Sequence, residues 1–222
     1  MYELHQAGEH SYYVQSPAKI GIVKLNDTEV CLIDSGSDKD AGRRVRKILD
    51  ERGWKLTAIY NTHSNADHIG GNRYLQQQTQ CKIYAPGIEC DFTNHPILEP
   101  AFLYGGYPPK DLPGHFFDMV GFHHTCDDVI YLADCLSSKE TLDKYQIGFI
   151  YDVAAYLETL EMVKTLKAKL FIPAHAEPAK DIRELAQYNI DKVMEISDKI
   201  EEICTEPLNF ERILQRLFQT YQ

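Results

Sequence analysis

The stretch THSNADHIGGN, Thr62 to Asn72, decides how the rest of the chain is read. It follows the short apolar run LTAIY, residues 56–60, and sets His63, Asp67 and His68 within six positions of one another. Imidazole nitrogens and a carboxylate on a loop leaving a strand are donors for a transition metal. Strand ends are also where site residues gather in open α/β sheets. One position is out of keeping: Asn65 stands where a further histidine is expected.

On the N-terminal side, AKIGIVKLNDTEVCLIDSG (18–36) reads as two β-branched strands joined at Asn26-Asp27, a hairpin that opens the domain. KDAGRRVRKILDERGW (39–54) is a helix with Val45, Ile48 and Leu49 on one face, ended at Gly53, its arginines on a solvated face. On the C-terminal side come a helix through RYLQQQ (73–78) and a strand, CKIYA (81–85). Alternating strands and helices mean an α/β layout.

Six of the ten prolines fall between Pro86 and Pro113, so that stretch is read as a long loop, a candidate lid. Its Glu89, Cys90, Tyr104 and Tyr107 either pack the loop or reach substrate. DMVGFHH (118–124) and VIYLADCL (129–136) form a second hairpin around TCDD, which makes His123 and His124 hairpin residues and places Cys31, Cys126 and Cys135 in buried positions. DVAAYLETLEMVKTLKAK (152–169) is an amphipathic helix capped by Asp152, and LFIPAH (170–175) is a last strand. Everything from Asp181 onward is helical in pattern, giving two expected units: 1–178 and a helical extension, 179–222.

A net charge of -10 and a pI near 5.3 argue against broad attraction to nucleic acid or anionic membrane. Six cysteines without a C-x-x-C pair, no charged-then-apolar N-terminal segment and no apolar run of membrane-spanning length give the expectation of a soluble, cytoplasmic protein with reduced thiols. No phosphate-binding glycine motif supports a nucleotide cofactor.

Three residues outside the opening loop have a similar local setting, at the end of a strand or in a turn: His115 in LPGHFF, Asp134 in YLADCL and His175 in FIPAH. A lone histidine is more often a core or surface residue, but these six together form a nitrogen and oxygen donor set suited to zinc, iron or manganese. The absence of a cysteine ligand pattern points to a catalytic rather than a structural metal.

In the order His63, Asp67, His68, His115, Asp134 and His175, with the early Asp34 of LIDSG, the chain resembles the metallo-β-lactamase superfamily and its H-x-H-x-D-H signature, in particular the glyoxalase II-like metal site. The resemblance implies a four-layer αββα sandwich with a C-terminal helical extension. It implies one metal on His63, position 65, His115 and Asp134, another on Asp67, His68, His175 and Asp134, and a bracing role for Asp34. Asn65 offers only a weakly donating amide oxygen, so one tight site and a second weak or absent one are expected, zinc most naturally, with iron or manganese as alternatives. The other reading keeps Asn65 as a working oxygen ligand with both sites filled.

The implied reaction is metal-assisted hydrolysis by a metal-bound hydroxide, with Asp67, His63 and His115 as the candidate catalytic residues. The expected substrate is a small thioester or ester. A nuclease or phosphodiesterase is the alternative enzyme, with only Arg43, Arg44, Arg46 and Lys47 to offer phosphates. A degenerate member that binds a ligand without turnover is the alternative outside catalysis. A homodimer is a further possibility that the helical extension raises.

Overall fold

A computed structural model describes residues 2–87 and 110–218. Its elements in chain order are β1 (Glu3–Gln6), β2 (Ser11–Gln15), β3 (Ile20–Lys24), β4 (Glu29–Ile33), α1 (Lys39–Glu51), β5 (Lys55–Tyr60), α2 (Ala66–Ile69), α3 (Asn72–Thr79) and β6 (Lys82–Tyr84). After the undescribed segment come β7 (Lys110–Asp111), β8 (Val120–His124), β9 (Val129–Ser137), α4 (Lys139–Tyr145), α5 (Val153–Thr165), β10 (Leu170–His175), α6 (Arg183–Ile203) and α7 (Phe210–Leu217).

Two sheets result, one in the order β1-β2-β3-β4-β5-β6 and the other β10-β9-β8-β7. In the first, β1 to β4 form an antiparallel meander, and β5 and β6 add in parallel through α1 and α3. Side-chain alternation along β4 shows why two layers flank this sheet. Val30 and Leu32 point into a core with Val45 and Leu49 of α1 and Leu75 of α3, while Cys31 and Ile33 point into the core shared with the second sheet. That inter-sheet core also holds Val120, Phe122, Val129 and Tyr131. On the far side of the second sheet, Leu132 and Leu136 pack against Tyr156, Leu160 and Val163 of α5 and against Ile182, Ala186 and Val193 at the start of and along α6. Three cores between four layers make an αββα sandwich.

The local signals act as the sequence suggests. Asp38 caps α1, its carboxylate accepting from Ala41 N at 2.7 Å, and Gly53 ends the helix with a positive φ of 67°. Asp152 caps α5 by accepting from Ala155 N at 3.0 Å. Replacing a fully buried leucine such as Leu49 or Leu160 by alanine costs about 2–5 kcal/mol.

Some expectations need correction. The domain does not open at β3: the β1–β2 hairpin precedes it, and ELHQ conceals a strand because it is a half-exposed edge of mixed polarity. Asp67 and His68 lie on one helical turn, not on an open loop. A further helix, α4, leaves β9 under a Ser138 cap that accepts from Thr141 N at 3.1 Å. Cys31 and Cys135 are buried, but Cys126, in the β8–β9 turn, is exposed. Residues 88–109, with Glu89, Cys90, Tyr104 and Tyr107, lie outside the described residues. Among the described residues no helix is long and apolar enough to cross a membrane. The first turns of α6 share a core with β9 and α5, so the helical extension is packed on the sandwich.

Candidate metal centre

The loop 62–72 is shaped before any ligand is considered. Asp34, at a left-handed φ of 63° that aspartate tolerates, accepts from Thr62 N and Thr62 Oγ1, each at 2.8 Å, and lies 2.7 Å from His68 Nδ1. The DSG turn and the HIGG turn are zipped together by Ser35 N donating to His68 O at 2.7 Å and Gly71 N to Gly36 O at 3.2 Å. The backbones are so close that a β-carbon on Gly70 would lie 2.0 Å from Ser37 O. Only glycine fits there, which accounts for the Gly-Gly pair after His68.

Onto this frame the fold brings all the candidates from four separate stretches. Asp134, on β9, is the meeting point. Its Oδ1 lies 3.0 Å from His68 Nε2, and its Oδ2 lies 3.2 Å from His175 Nε2, 3.4 Å from His115 Nε2 and 3.7 Å from His63 Nε2. Asp67 Oδ2 lies 3.3 Å from His175 Nε2 and 3.6 Å from His68 Nε2. Two groups could therefore each hold a metal ion: Asp67, His68, Asp134 and His175, and His63, His115 and Asp134. Just before the shared carboxylate, Ala133 takes a left-handed φ of 50°, where the pairing of β9 with β10 slips. A non-glycine residue in that conformation costs about 1–2 kcal/mol.

The outer nitrogens of three rings are tied back to protein. His68 Nδ1 meets Asp34, His63 Nδ1 lies 2.9 Å from Thr62 Oγ1, and His175 Nδ1 lies 3.1 Å from Pro17 O. This leaves each Nε2 facing inward, as ligation requires. His63 Nε2, His68 Nε2 and Asp134 Oδ1 are buried without an aligned hydrogen-bond partner. Orphaned polar atoms at the centre of a site cost free energy unless something satisfies them, and a cation fits all three.

Asn65 caps α2 through its backbone, and its side chain reaches the first group: its amide lies 3.2 Å from His115 Nε2. Nitrogen and oxygen of such an amide exchange places by a half-turn, so its oxygen can face the same point.

The two groups differ in their protons. Burial pushes His63 down to about 4, with neighbouring His68 adding to the effect, and burial also lowers His115. Burial acts downward on His68 too, but Asp134 and Asp34 outweigh it and hold that ring well above its usual range. His175 is raised against its burial to about 9 by Asp134 and Asp67. Asp134 is held well below the usual carboxylate range despite its burial, chiefly by His68 and His175.

Beside these donors lies a cavity of about 510 Å³ that His115, Asp134 and His175 help to line. Its other walls include Lys19 after β2, Ser137 and Ser138 at the end of β9, and Phe149. The sequence reading passed over all four. Lys19, a charged residue next to a β-branched strand, was the one carrying a usable signal. Phe149 packs edge-on to His115 with ring centroids 5.6 Å apart. A second cavity of about 570 Å³, lined by Tyr60, Tyr84, Phe117 and Phe122 among others, contains none of the donors. His123 and His124 stand apart from the site: His124 Nδ1 lies 2.8 Å from Ser11 Oγ and 3.3 Å from Asp127.

The sequence model of the metallo-beta-lactamase superfamily matches residues 16–121. The hydroxyacylglutathione hydrolase of Nitrobacter hamburgensis is 33% identical over 102 residues, 42% of this chain and 39% of that protein. The one from Rhodopseudomonas palustris (strain BisB18) is 33% identical over 115 residues, 47% and 45% respectively. The chain thus spans less than half the length of these curated relatives. A beta-lactamase domain protein from Burkholderia ambifaria superposes with a TM-score of 0.78 at 16% identity, over 98% of this chain and 84% of the other. The mono-zinc form of the metallo-beta-lactamase FIM-1 from Pseudomonas aeruginosa gives 0.73 at 17%, over 88% and 96%. The matched segment holds the 62–72 loop, and the whole sandwich superposes on these structures, so the chain has their fold and over residues 16–121 is similar to the metallo-beta-lactamase superfamily.

Proposed function

We propose that the chain is a metal-dependent hydrolase acting on a small thioester or ester. The observation that carries this reading is the convergence on Asp134 of four inward-facing imidazole nitrogens, two of them buried without partners. The relatives' name, which describes hydrolases of acylated glutathione, supports a thioester over other acyl compounds.

Asp67, His68, His175 and Asp134 are the residues that would hold one metal tightly, zinc by preference, with His63, Asn65, His115 and Asp134 as a weaker second set. A metal in the first set supplies Lewis acidity that brings a water's pKa toward neutrality. This chain's own groups do the rest. His63 and His115, kept neutral by burial, stand across Asp134 from the tight set as proton acceptors. The Pro17 carbonyl holds the His175 ring through its Nδ1, and Phe116 and Phe149 pack against His63 and His115.

The test is metal content per chain by plasma mass spectrometry, for the unmodified protein and Asn65→His, together with turnover of thioesters, lactones and bis-aryl phosphates with and without chelator. About one metal rising toward two in Asn65→His, with thioester turnover lost on chelation, is the expected result. Two metals in the unmodified protein would make Asn65 a working ligand. Turnover confined to phosphate diesters would replace the esterase by a phosphodiesterase, although Arg43, Arg46 and Lys47 are all ion-paired with Asp40, Asp50 and Glu51 on their own helix. Silence across the panel from metal-loaded protein would leave a binding module.

A further inference from the structure

Lys19 is a charged side chain that the proposed chemistry leaves unused. It lies in the turn between β2 and β3, is 7% exposed, and lines the cavity beside the metal donors. Its Nζ donates to Ala176 O at 2.6 Å, and among the described residues no carboxylate lies within ion-pair distance of it. An ammonium has three protons to donate, so most of its donor capacity is unspent. Burying a cation on one carbonyl is costly, and an anion arriving at the same wall would offset that cost.

We propose that Lys19 is a specificity residue that receives a carboxylate on the substrate, so that the preferred substrates are acyl compounds carrying a free carboxylate on one arm. The proposal rests on the hydrolase reading and deepens it. Two features of the cavity define the charge. His115, Asp134 and His175 line it together with Lys19, so a group held at Lys19 leaves the rest of a small substrate beside the metal donors. Glu140 and Glu177 also line it, so a singly charged carboxylate is accommodated where a phosphate dianion would be repelled. Ser137 and Ser138 also line it and add neutral polar groups.

A competing role is purely structural. Lys19 N donates to Ala174 O at 3.1 Å, and His175 Nδ1 lies 3.1 Å from Pro17 O, so the 17–19 turn also holds the 174–176 backbone. The experiment must separate holding the loop from holding the ligand. The probes are the thiophenol monothioester of succinic acid and its methyl ester for turnover, and the matching thioether acid and thioether methyl ester for binding by calorimetry, all on metal-loaded protein.

The unmodified protein is expected to bind the thioether acid about tenfold more tightly than its methyl ester, the size of one charge-assisted hydrogen bond. Lys19→Met should bring that ratio to about one while the ester's affinity stays put, and Lys19→Arg should retain most of it. Equal binding by the unmodified protein, or a Lys19→Met loss shared equally by acid and ester, would overturn the proposal. If Lys19→Met does not fold, Glu177→Gln and salt decide: the ratio must rise in the variant and fall with ionic strength, and a flat ratio rejects the assignment. A preserved binding ratio with neither thioester cleaved would remove the hydrolase reading and leave the carboxylate site standing.

Discussion

Asp67, His68, Asp134 and His175 on one side of the site, and His63, Asn65, His115 and Asp134 on the other, share one carboxylate and differ in most other respects. The first set has Asp67 besides the shared Asp134, and a further carboxylate, Asp34, behind His68, and its two rings are pulled toward the protonated state. The second has only the shared Asp134, an amide, and two rings that burial keeps neutral. Protons report where a site demands positive charge. The demand lies with the first set, so the proposed ranking of the two rests on ligand charge and not merely on the loss of one imidazole at position 65.

The comparison breaks most visibly at His175. His175→Ala is expected to remove the tight metal and the activity together, a loss of about 10³-fold or more, with the parallel fall in metal content read by mass spectrometry. His63→Ala should separate the two readouts: turnover falls by about 10²- to 10⁴-fold, as for loss of a general base, while metal content is unchanged. Loss of the tight metal in that variant would sink the ranking. Asp34→Asn keeps the size of the side chain but removes the charge and one acceptor oxygen behind His68, and should weaken the tight metal by about 10- to 100-fold in a competition titration with a chelator.

The smallest effect is in the pH dependence of metal-free protein, prepared by chelation and followed by thermal unfolding. His175, raised from 6.5 to about 9, contributes stability that is fully present below pH 6.5 and is lost as pH rises through about 9. His63, lowered from 6.5 to about 4, contributes stability that is present above pH 6.5 and is lost as pH falls through about 4. His63→Ala should flatten the slope on the acid side and His175→Ala the slope on the alkaline side, each relative to the unmodified protein. Unchanged slopes in both variants would erase the distinction.

Much of this arrangement was legible in the residues themselves. The loop from Thr62 to Asn72, the G-H turn, and the two strand ends at Asp134 and His175 each carried a local signal, and the structure brings their donor atoms together in two groups. The meaning of the glycine pair was hidden, because the backbone it must admit belongs to Ser37, far off in sequence. Lys19 was passed over for a similar reason: a charge beside a β-branched strand marks the position, but its partner, the Ala176 carbonyl, lies 157 residues away in sequence. β1 was missed because an edge strand buries too little to show alternation, and Cys126 was misjudged because a hairpin's turn is exposed even when both its strands are buried. The matched segment 16–121 ends before Asp134 and His175, so half of the first group lies where the family match is silent and the fold alone brings it in.

Asn189, buried on α6, grips the exit of β9 from both sides: its Nδ2 donates to Ser137 O and its Oδ1 accepts from Ser137 N, each at 3.0 Å, while Tyr156 Oη donates to the same oxygen at 3.3 Å. Ser137 is also a wall of the ligand cavity. One lining residue of that cavity is thus held from 52 residues downstream, by a side chain outside both donor groups. For anyone wishing to retune what the cavity admits while sparing the metal ligands, α6 is the adjusting screw, and a fragment cut at residue 178 would lack it.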